Sequence, residues 1–484
     1  MSNVLLVFPD KFIHNFFEKN SNYYYLNNNG WWKYDLDKKK RINIPLSDIM
    51  INWENSIDPS EIYKKLDWHS PTWHRWAANS DQYELLKREA LFRVLRLQSG
   101  IKFFGIDYSL IFTGIPHHID SLIIESAFSL INLRQYHLYS NVIDGRLIPL
   151  MHKSTISNRT LSRNYISDYD IKPKLNEFIE NKKLNKPPSS AESVQDWRVI
   201  YFFSVIYLIY LTLKRKLQFI YSKITKVRYE EKLLDSLYEL NFFTHLRLYR
   251  QQKKSLKFYA LNIISNKEYK DYVANKDAPP ILIMAHYQPE ATSFPEGGKF
   301  GNHIDIVLEL RRSGFKGEIL YKEHKASYLY CSGIVGPSQV GMSRSISYYK
   351  QLLSLGCKFV NPDITLDINN ALSEFYLPVT ITGTVAIERS LFGFQTIVTG
   401  NPWFSGLPGI LTLDNLDFAL AIDYKYCNHN NNIEKEAYNF FIDQLNNYTI
   451  TNAPGIGSGR KVHSAMTIFC EEIQILINNI EKQY

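Results

Sequence analysis

An alternation in the second half of the chain constrains its fold more than any other feature. From about residue 278, short β-prone runs at 281–285, 317–321, 358–361, 378–382 and 396–400 are mostly separated by helical stretches at 304–312, 345–355 and 385–392. Strands that alternate with helices in this way are expected to form a doubly wound parallel sheet, because each parallel pair needs a crossover and each crossover helix covers a face. Two further helices, 433–447 and 462–482, are expected to close the chain, and no internal repeat is visible.

The 484 residues exceed what one core usually organises, so two or three domains are expected. Hydrophobic residues make up 45% and charged residues 21%, a composition that folds. The first 155 residues again read as α/β. Runs at 4–8, 105–113 and 136–142 resemble strands, and 121–132 reads as a helix between the last two, which predicts a parallel sheet. Residues 157–195 are polar and carry Pro187-Pro188, the signature of an irregular connection.

An apolar segment, 197–213, follows and ends on Lys214, Arg215 and Lys216. Its uncharged part is about fifteen residues, short of the roughly 20 that span a bilayer. Two readings stay open: a helix buried between domains, or one dipped into the cytoplasmic leaflet with its basic end at lipid phosphates. The basic, aromatic stretch 217–228 favours the second. The expected organisation is an N-terminal acceptor-side Rossmann-like domain at 1–155, a connector with a helical segment at 156–275, and a C-terminal nucleotide-sugar domain at 276–484.

Four scattered cysteines (Cys331, Cys357, Cys427 and Cys470) offer no CxxC pair and no zinc spacing, which fits structural thiols in a reducing compartment. The N-terminal run reads as a buried strand and not as a signal peptide, so a cytoplasmic protein is expected. A net charge of +8 suits anionic lipid or a nucleotide. The charge is spread along the chain and no nucleic-acid module is present, so nucleic acid is not an expected partner.

Ligands of open α/β sheets bind at the carboxyl ends of strands, where loops meet helix N-termini. Four such places carry chemistry. After 281–285 come His286, Gln288 and Glu290. After 317–321 come Lys322, Glu323 and His324, suited to neutralising a phosphate. Thr382, Gly383 and Thr384 open the helix 385–392 and read as an anion cradle, with Glu388 one turn later placed for a ribose. Finally, Gly400-Asn401-Pro402-Trp403-Phe404 offers either an aromatic wall or a loop anchored by Trp403. Two bare DxD patterns, at Asp35–Asp37 and Asp168–Asp170, lie in polar segments and read as solvated loops. The glycine-rich run 455–460 lacks a phosphate-loop ending, and no serine-hydrolase or zincin motif occurs.

The series HYQPE, YKEH, TGTVAIE and a Gly-Asn-Pro-Trp turn resembles bacterial capsular polysaccharide biosynthesis proteins, including Kdo and related nonulosonic-acid transferases. The resemblance covers roughly residues 278–412 well and the N-terminal half loosely. It implies the GT-B architecture, two Rossmann-like domains facing across a cleft, here with a helical, partly apolar insertion between them. It further implies a nucleotide-sugar donor, often CMP-linked, with Lys322 and His324 on the phosphate, Thr382, Gly383 and Thr384 cradling it, and Glu388 on the ribose. Lys325 stands where that group usually has Pro.

A GT-B enzyme takes its base from the N-terminal domain, because an acceptor hydroxyl needs a proton acceptor as it attacks. Thr113-Gly114-Ile115-Pro116-His117-His118-Ile119-Asp120 follows a predicted strand, so Asp120 or His118 is the expected base, with Glu125 in reserve. The expectation is a metal-independent glycosyltransferase, cytoplasmic and peripheral on a bacterial inner membrane, moving Kdo or another nonulosonic acid from CMP to a glycan or lipid-linked acceptor. A UDP- or GDP-sugar enzyme of the same fold and a non-catalytic scaffold of polysaccharide assembly are the rivals.

Overall fold

The structure is a computed structural model that describes residues 2–7, 11–17, 22–26, 59–66, 80–112, 119–140, 142–143, 147–152, 159–161, 171–184, 242–286, 297–324, 344–364, 374–413, 424–448 and 463–482. They form two compact units. The first comprises the described residues of Met1–Ser70, Glu84–Asn176 and Phe441–Tyr484, and the second those of Pro71–Tyr83 and Glu177–Phe440.

Along the first unit run β1 (Val4–Val7), α1 (Lys11–Phe17), β2 (Tyr23–Leu26), α2 (Pro59–Lys65), α3 (Ser80–Phe104), β3 (Tyr108–Ile111), α4 (Ile119–Leu130), β4 (Arg134–Ser140), β5 (Leu147–His152) and β6 (Arg159–Leu161). Helix α5 (Lys172–Lys183) then leads out of it. The strand predicted at 105–113 starts later because α3 runs to Phe104. Gly105 then closes the helix with φ +58°, and the N–H of Ile106 returns to the Ile101 carbonyl at 3.0 Å.

The six strands lie in the order β2-β1-β3-β4-β5-β6. The pairs β1–β2, β1–β3 and β3–β4 are parallel, but β4–β5 and β5–β6 are antiparallel. The expected all-parallel sheet is therefore mixed. The link from Ser140 to Leu147 is too short for the crossover that a parallel pair needs.

In the second unit α5 is followed by α6 (Phe242–Leu261), α7 (Asn266–Val273), β7 (Ile281–Met284), α8 (His303–Arg312), β8 (Ile319–Lys322), α9 (Ile346–Ser354), β9 (Cys357–Val360), β10 (Leu377–Thr380), α10 (Val385–Leu391), β11 (Thr396–Val398), β12 (Ile410–Leu411) and α11 (Asn431–Tyr448). The sheet is wholly parallel in the order β12-β11-β10-β7-β8-β9. Numbered within the unit, that is the doubly wound order 3-2-1-4-5-6, as the alternation in the sequence predicts.

Its strands are continuous apolar runs because both faces are covered. Ile281, Ile283, Ile319, Tyr321, Phe359, Leu377 and Val379 pack with Val307 and Leu310 of α8, Tyr349 and Leu352 of α9, and Tyr259 of α6. Leu282, Leu320 and Val360, one residue out of phase, meet Tyr269 and Val273 of α7 on the other side. The predicted boundary at 276 thus falls after two helices that already belong to this unit.

The last helix, α12 (His463–Lys482), belongs to the first unit and not to the C-terminal domain in which the sequence places it. Its stripe Phe469, Cys470, Ile473, Leu476, Ile477 and Ile480 is buried against Val4, Leu6, Tyr108, Leu110, Tyr136 and Leu138. Alternate residues of β1, β3 and β4 present one apolar face, and a helix with matching periodicity covers it. Ser2 N–H to Glu481 Oε1 (2.9 Å) and Tyr23 hydroxyl to Gln474 Oε1 (3.2 Å) pin the helix at the edges. Cys357, Cys427 and Cys470 are buried thiols that form no disulfide among the described residues. The apolar segment 197–213 lies outside the described residues, and among the described ones no helix is long and apolar enough to cross a membrane.

Candidate functional site

In a sheet of order 3-2-1-4-5-6 the strand order reverses between the first and fourth strands, and the two departing loops open a crevice at that point. Here those strands are β7 and β10, so His286 leaves one side of the switch point and Thr382-Gly383-Thr384 the other. The two loops touch. The Thr382 N–H donates to His286 Nε2 at 3.3 Å, and the Gly383 N–H donates to Thr380 Oγ1 at 3.1 Å. The approach is so close that a Cβ at Gly383 would lie 2.4 Å from Thr380 Oγ1 and 3.4 Å from His286 Nε2. The predicted strand 378–382 ends at Thr380 because its hydroxyl folds the chain back in this turn.

Those bonds correct the anion cradle read from the sequence. The N–H groups of Thr382 and Gly383 face protein acceptors, and Thr384 makes no side-chain cap on α10, a helix of seven residues. Thr382 is buried and Thr384 is exposed at the rim. Glu388, expected at a ribose, is ion-paired with Lys182 of α5 at 2.5 Å.

The β8 end contributes in an unexpected division of labour. Lys322 is the last residue of the strand, paired in register with Met284 and Val360. By strand alternation it sits on the opposite face from Tyr321 and Glu323. Glu323, predicted to touch the nucleotide, is fully enclosed. Its Oε2 accepts from Arg344 Nε (2.8 Å), the Tyr349 hydroxyl (2.8 Å) and the Tyr321 hydroxyl (3.2 Å). Its Oε1 accepts the His324 N–H at 2.9 Å, and its own N–H donates to the Tyr259 hydroxyl at 3.1 Å. Glu323 is a structural anchor, and the His324 ring beside it is the exposed group.

Arg344 completes the arrangement. It precedes Ser345, whose Oγ caps α9 by accepting the Tyr348 N–H at 3.1 Å. Only 4% exposed, Arg344 binds Glu323 through Nε and the His286 carbonyl through Nη2 at 3.0 Å, with its guanidinium 4.9 Å above the Tyr348 ring. His303, one residue past the Asn302 cap of α8, accepts the His286 N–H on Nε2 at 3.1 Å. Sequence inspection confined to strand ends misses Arg344 and His303, because one stands just before a helix cap and the other just after one. A cation or imidazole beside a Ser or Asn cap is the signal that would have found them.

The charges follow from the enclosure. Burial, with the nearby His324 and Arg344 adding to it, brings the His286 pKa down to about 3. Burial, Arg344 and His286 hold His303 well below its usual value. His324 shifts in the same direction to a smaller extent: desolvation of its ring lowers the pKa, Glu323 opposes, and Lys322 and Arg344 add to the lowering. Burial works against the charge of Arg344, yet Glu323 and the surrounding tyrosines leave it firmly cationic. Arg344 is therefore a buried fixed cation among neutral imidazoles.

The fourth loop settles into a structural role, with Trp403 and Phe404 buried edge to face at 5.5 Å. Gln288, Glu290 and His118 lie outside the described residues. Asp120 is in the first turn of α4, and both carboxylate oxygens of Glu125 on that helix are buried. In the first sheet the strand order reverses between β1 and β3. Among the described residues, no three His, Cys, Asp or Glu side chains gather as metal ligands.

The described elements define a chain of two Rossmann-like α/β units. No protein-family model and no curated protein matches it. Among solved structures it aligns with S. aureus MnaA bound to UDP at 10% identity, covering 99% of this chain and 98% of that one, with a TM-score of 0.22. It also aligns with UDP-GlcNAc 2-epimerase from Neisseria meningitidis bound to UDP-GlcNAc (11% identity, 91% and 99% covered, TM-score 0.20). A third is the Methanocaldococcus jannaschii UDP-GlcNAc 2-epimerase with UDP-GlcNAc and UDP (12%, 91% and 99%, TM-score 0.21). Superpositions this loose assign neither ligand nor activity.

Proposed function

We propose that the chain is a nucleotide-sugar-dependent glycosyltransferase of GT-B architecture whose donor phosphate binds at the switch point of the second sheet. The observation that carries this reading is the meeting of His286 after β7 and Thr382-Gly383 after β10 at that point, within electrostatic reach of His324 and Arg344. In the reaction the acceptor oxygen bonds to the anomeric carbon and the bond from that carbon to the donor phosphate breaks. The phosphate departs with the electron pair, and the acceptor proton passes to a base. Lys322 and His324 would offset the charge that grows on the phosphate, without a metal ion. Asp120 or His118 would take the proton.

The finer reading, a nonulosonic acid or Kdo carried by CMP, rests on the sequence series at 278–412. In it the segment 197–213 and its basic flank would hold the enzyme at the inner membrane near a lipid-linked acceptor. A thermal-shift panel with CMP, UDP and GDP, followed by turnover of the corresponding donors, separates the nucleotides. CMP and a CMP-linked donor are expected to respond. His324→Ala is expected to weaken nucleotide binding about tenfold while folding stays intact. Absence of a response to all three nucleotides would remove the enzyme reading and leave the assembly scaffold.

Binding should also depend on pH through His324. In the free protein its pKa lies below the usual histidine value, so the ring is neutral at pH 7. A phosphate placed beside it favours the charged form and raises that pKa, so binding takes up a proton. Affinity for a nucleotide sugar, whose phosphodiester keeps its charge over this range, is expected to rise as the pH falls through the bound-state pKa and to level off below the free-state value. Burial, Glu323, Lys322 and Arg344 set the free-state limit. Calorimetry in two buffers of different ionisation enthalpy would show the uptake, and His324→Gln should abolish it.

A further inference from the structure

The hydrogen bonds beneath the switch point run in one direction. His303 Nε2 accepts the His286 N–H at 3.1 Å, so the proton of the neutral His303 ring is on Nδ1, which faces the Tyr348 hydroxyl at 3.4 Å. The Tyr348 and Tyr321 hydroxyls are 3.0 Å apart, and Tyr321 donates to Glu323 Oε2 at 3.2 Å. A carboxylate only accepts, so the Tyr321 hydrogen points to Glu323, the Tyr348 hydrogen to Tyr321, and the Tyr348 oxygen receives His303. His286 obeys the same logic. Its Nε2 accepts from Thr382 at 3.3 Å, which places the ring proton on Nδ1, and that atom is buried with no hydrogen-bond partner among the described residues. Arg344 closes the frame by binding Glu323 at one end and the His286 carbonyl at the other.

We propose that Glu323 and Arg344 are positioning residues that, through Tyr321, Tyr348 and His303, fix the His286 loop so that its Nδ1–H is offered as a neutral donor to a phosphoryl oxygen of the bound nucleotide. The identity of that oxygen rests on the nucleotide reading above; the relay does not. An unmatched buried donor is costly, and a ligand oxygen placed beside it would satisfy it. Neutrality follows from the enclosure of both rings beside Arg344, so the donor binds without titrating near pH 7.

Long-range nitrogen–proton spectra of the histidine rings in the full-length protein, without and with CMP or UDP, test this directly. The expected result is that both His286 and His303 are neutral and protonated on Nδ1 at pH 7, and that nucleotide moves the His286 Nδ1 signal. Tyr348→Phe removes the acceptor for His303 while keeping the ring. It is expected to change the His303 and His286 signatures and to weaken nucleotide binding on the order of fivefold, with the thermal midpoint nearly unchanged. Arg344→Lys keeps the charge but not the two-pronged contact, and should displace the His286 signal in the same sense. A His286 ring protonated on Nε2, or ring spectra that Tyr348→Phe leaves as in the wild type, would overturn the proposal. Relay signatures as expected with no response to either nucleotide would overturn the nucleotide reading and leave the positioning role standing.

Discussion

Glu323→Ala is expected to destabilise the second unit by about 3–5 kcal/mol, the usual cost of removing one partner from a buried ion pair. The carboxylate is fully enclosed and gathers Arg344, Tyr349 and Tyr321 on one oxygen. Alanine leaves a guanidinium that is itself 4% exposed without its counter-charge, and the Tyr349 hydroxyl, the Tyr321 hydroxyl and the His324 N–H without this acceptor. Urea unfolding, with hydrogen exchange of the β7–β9 amides identifying the unit that opens, measures the loss. Glu323→Leu combined with Arg344→Met should recover much of it, since two apolar side chains carry no desolvation penalty. A loss below about 1 kcal/mol would mean that the pair is solvated in solution, and the relay would fail with it.

Gly383→Ala is expected to have the second largest effect, by a different route. Its Cβ would sit 2.4 Å from Thr380 Oγ1, a β-branched side chain that already receives the Gly383 N–H. Either the turn opens or Thr380 rotates and drops that bond, and both displace the His286 ring 3.4 Å away. A stability loss of about 1–3 kcal/mol follows from the overpacking, together with at least a tenfold loss of nucleotide affinity. Thr380→Ala in the same chain removes the clashing oxygen and should restore most of the stability but not the hydrogen bond. If Gly383→Ala alone binds nucleotide as the wild type does, the loops after β7 and β10 do not form the site.

Much of the second sheet is legible along the chain. Every strand read there appears, displaced by at most two residues at either end, because parallel strands covered on both faces are unbroken apolar runs between helical stretches. The ends shift for local reasons such as the Thr380 turn. The placement of His286, Lys322, His324 and Thr382 at strand ends is legible too, since their loops directly follow those runs. What each side chain does there is not. Glu323 and His324 are neighbours in sequence, yet one is enclosed under three donors and the other is exposed. Glu388 looks available until Lys182, some 200 residues earlier, arrives beside it.

The amino-acid order by itself determined the local elements and the class of sheet, because hydrophobic periodicity, caps and crossover lengths act over a few neighbouring residues. Only the tertiary structure decided that α12 returns to cover the first sheet, that β5 and β6 run antiparallel, and that Arg344 and His303 lie beneath the switch point. These pairings join residues from 7 to more than 450 positions apart. They are selected by which apolar face, acceptor or charge remains unmatched once the elements have formed, a property of the assembled surface that no stretch of the chain carries alone.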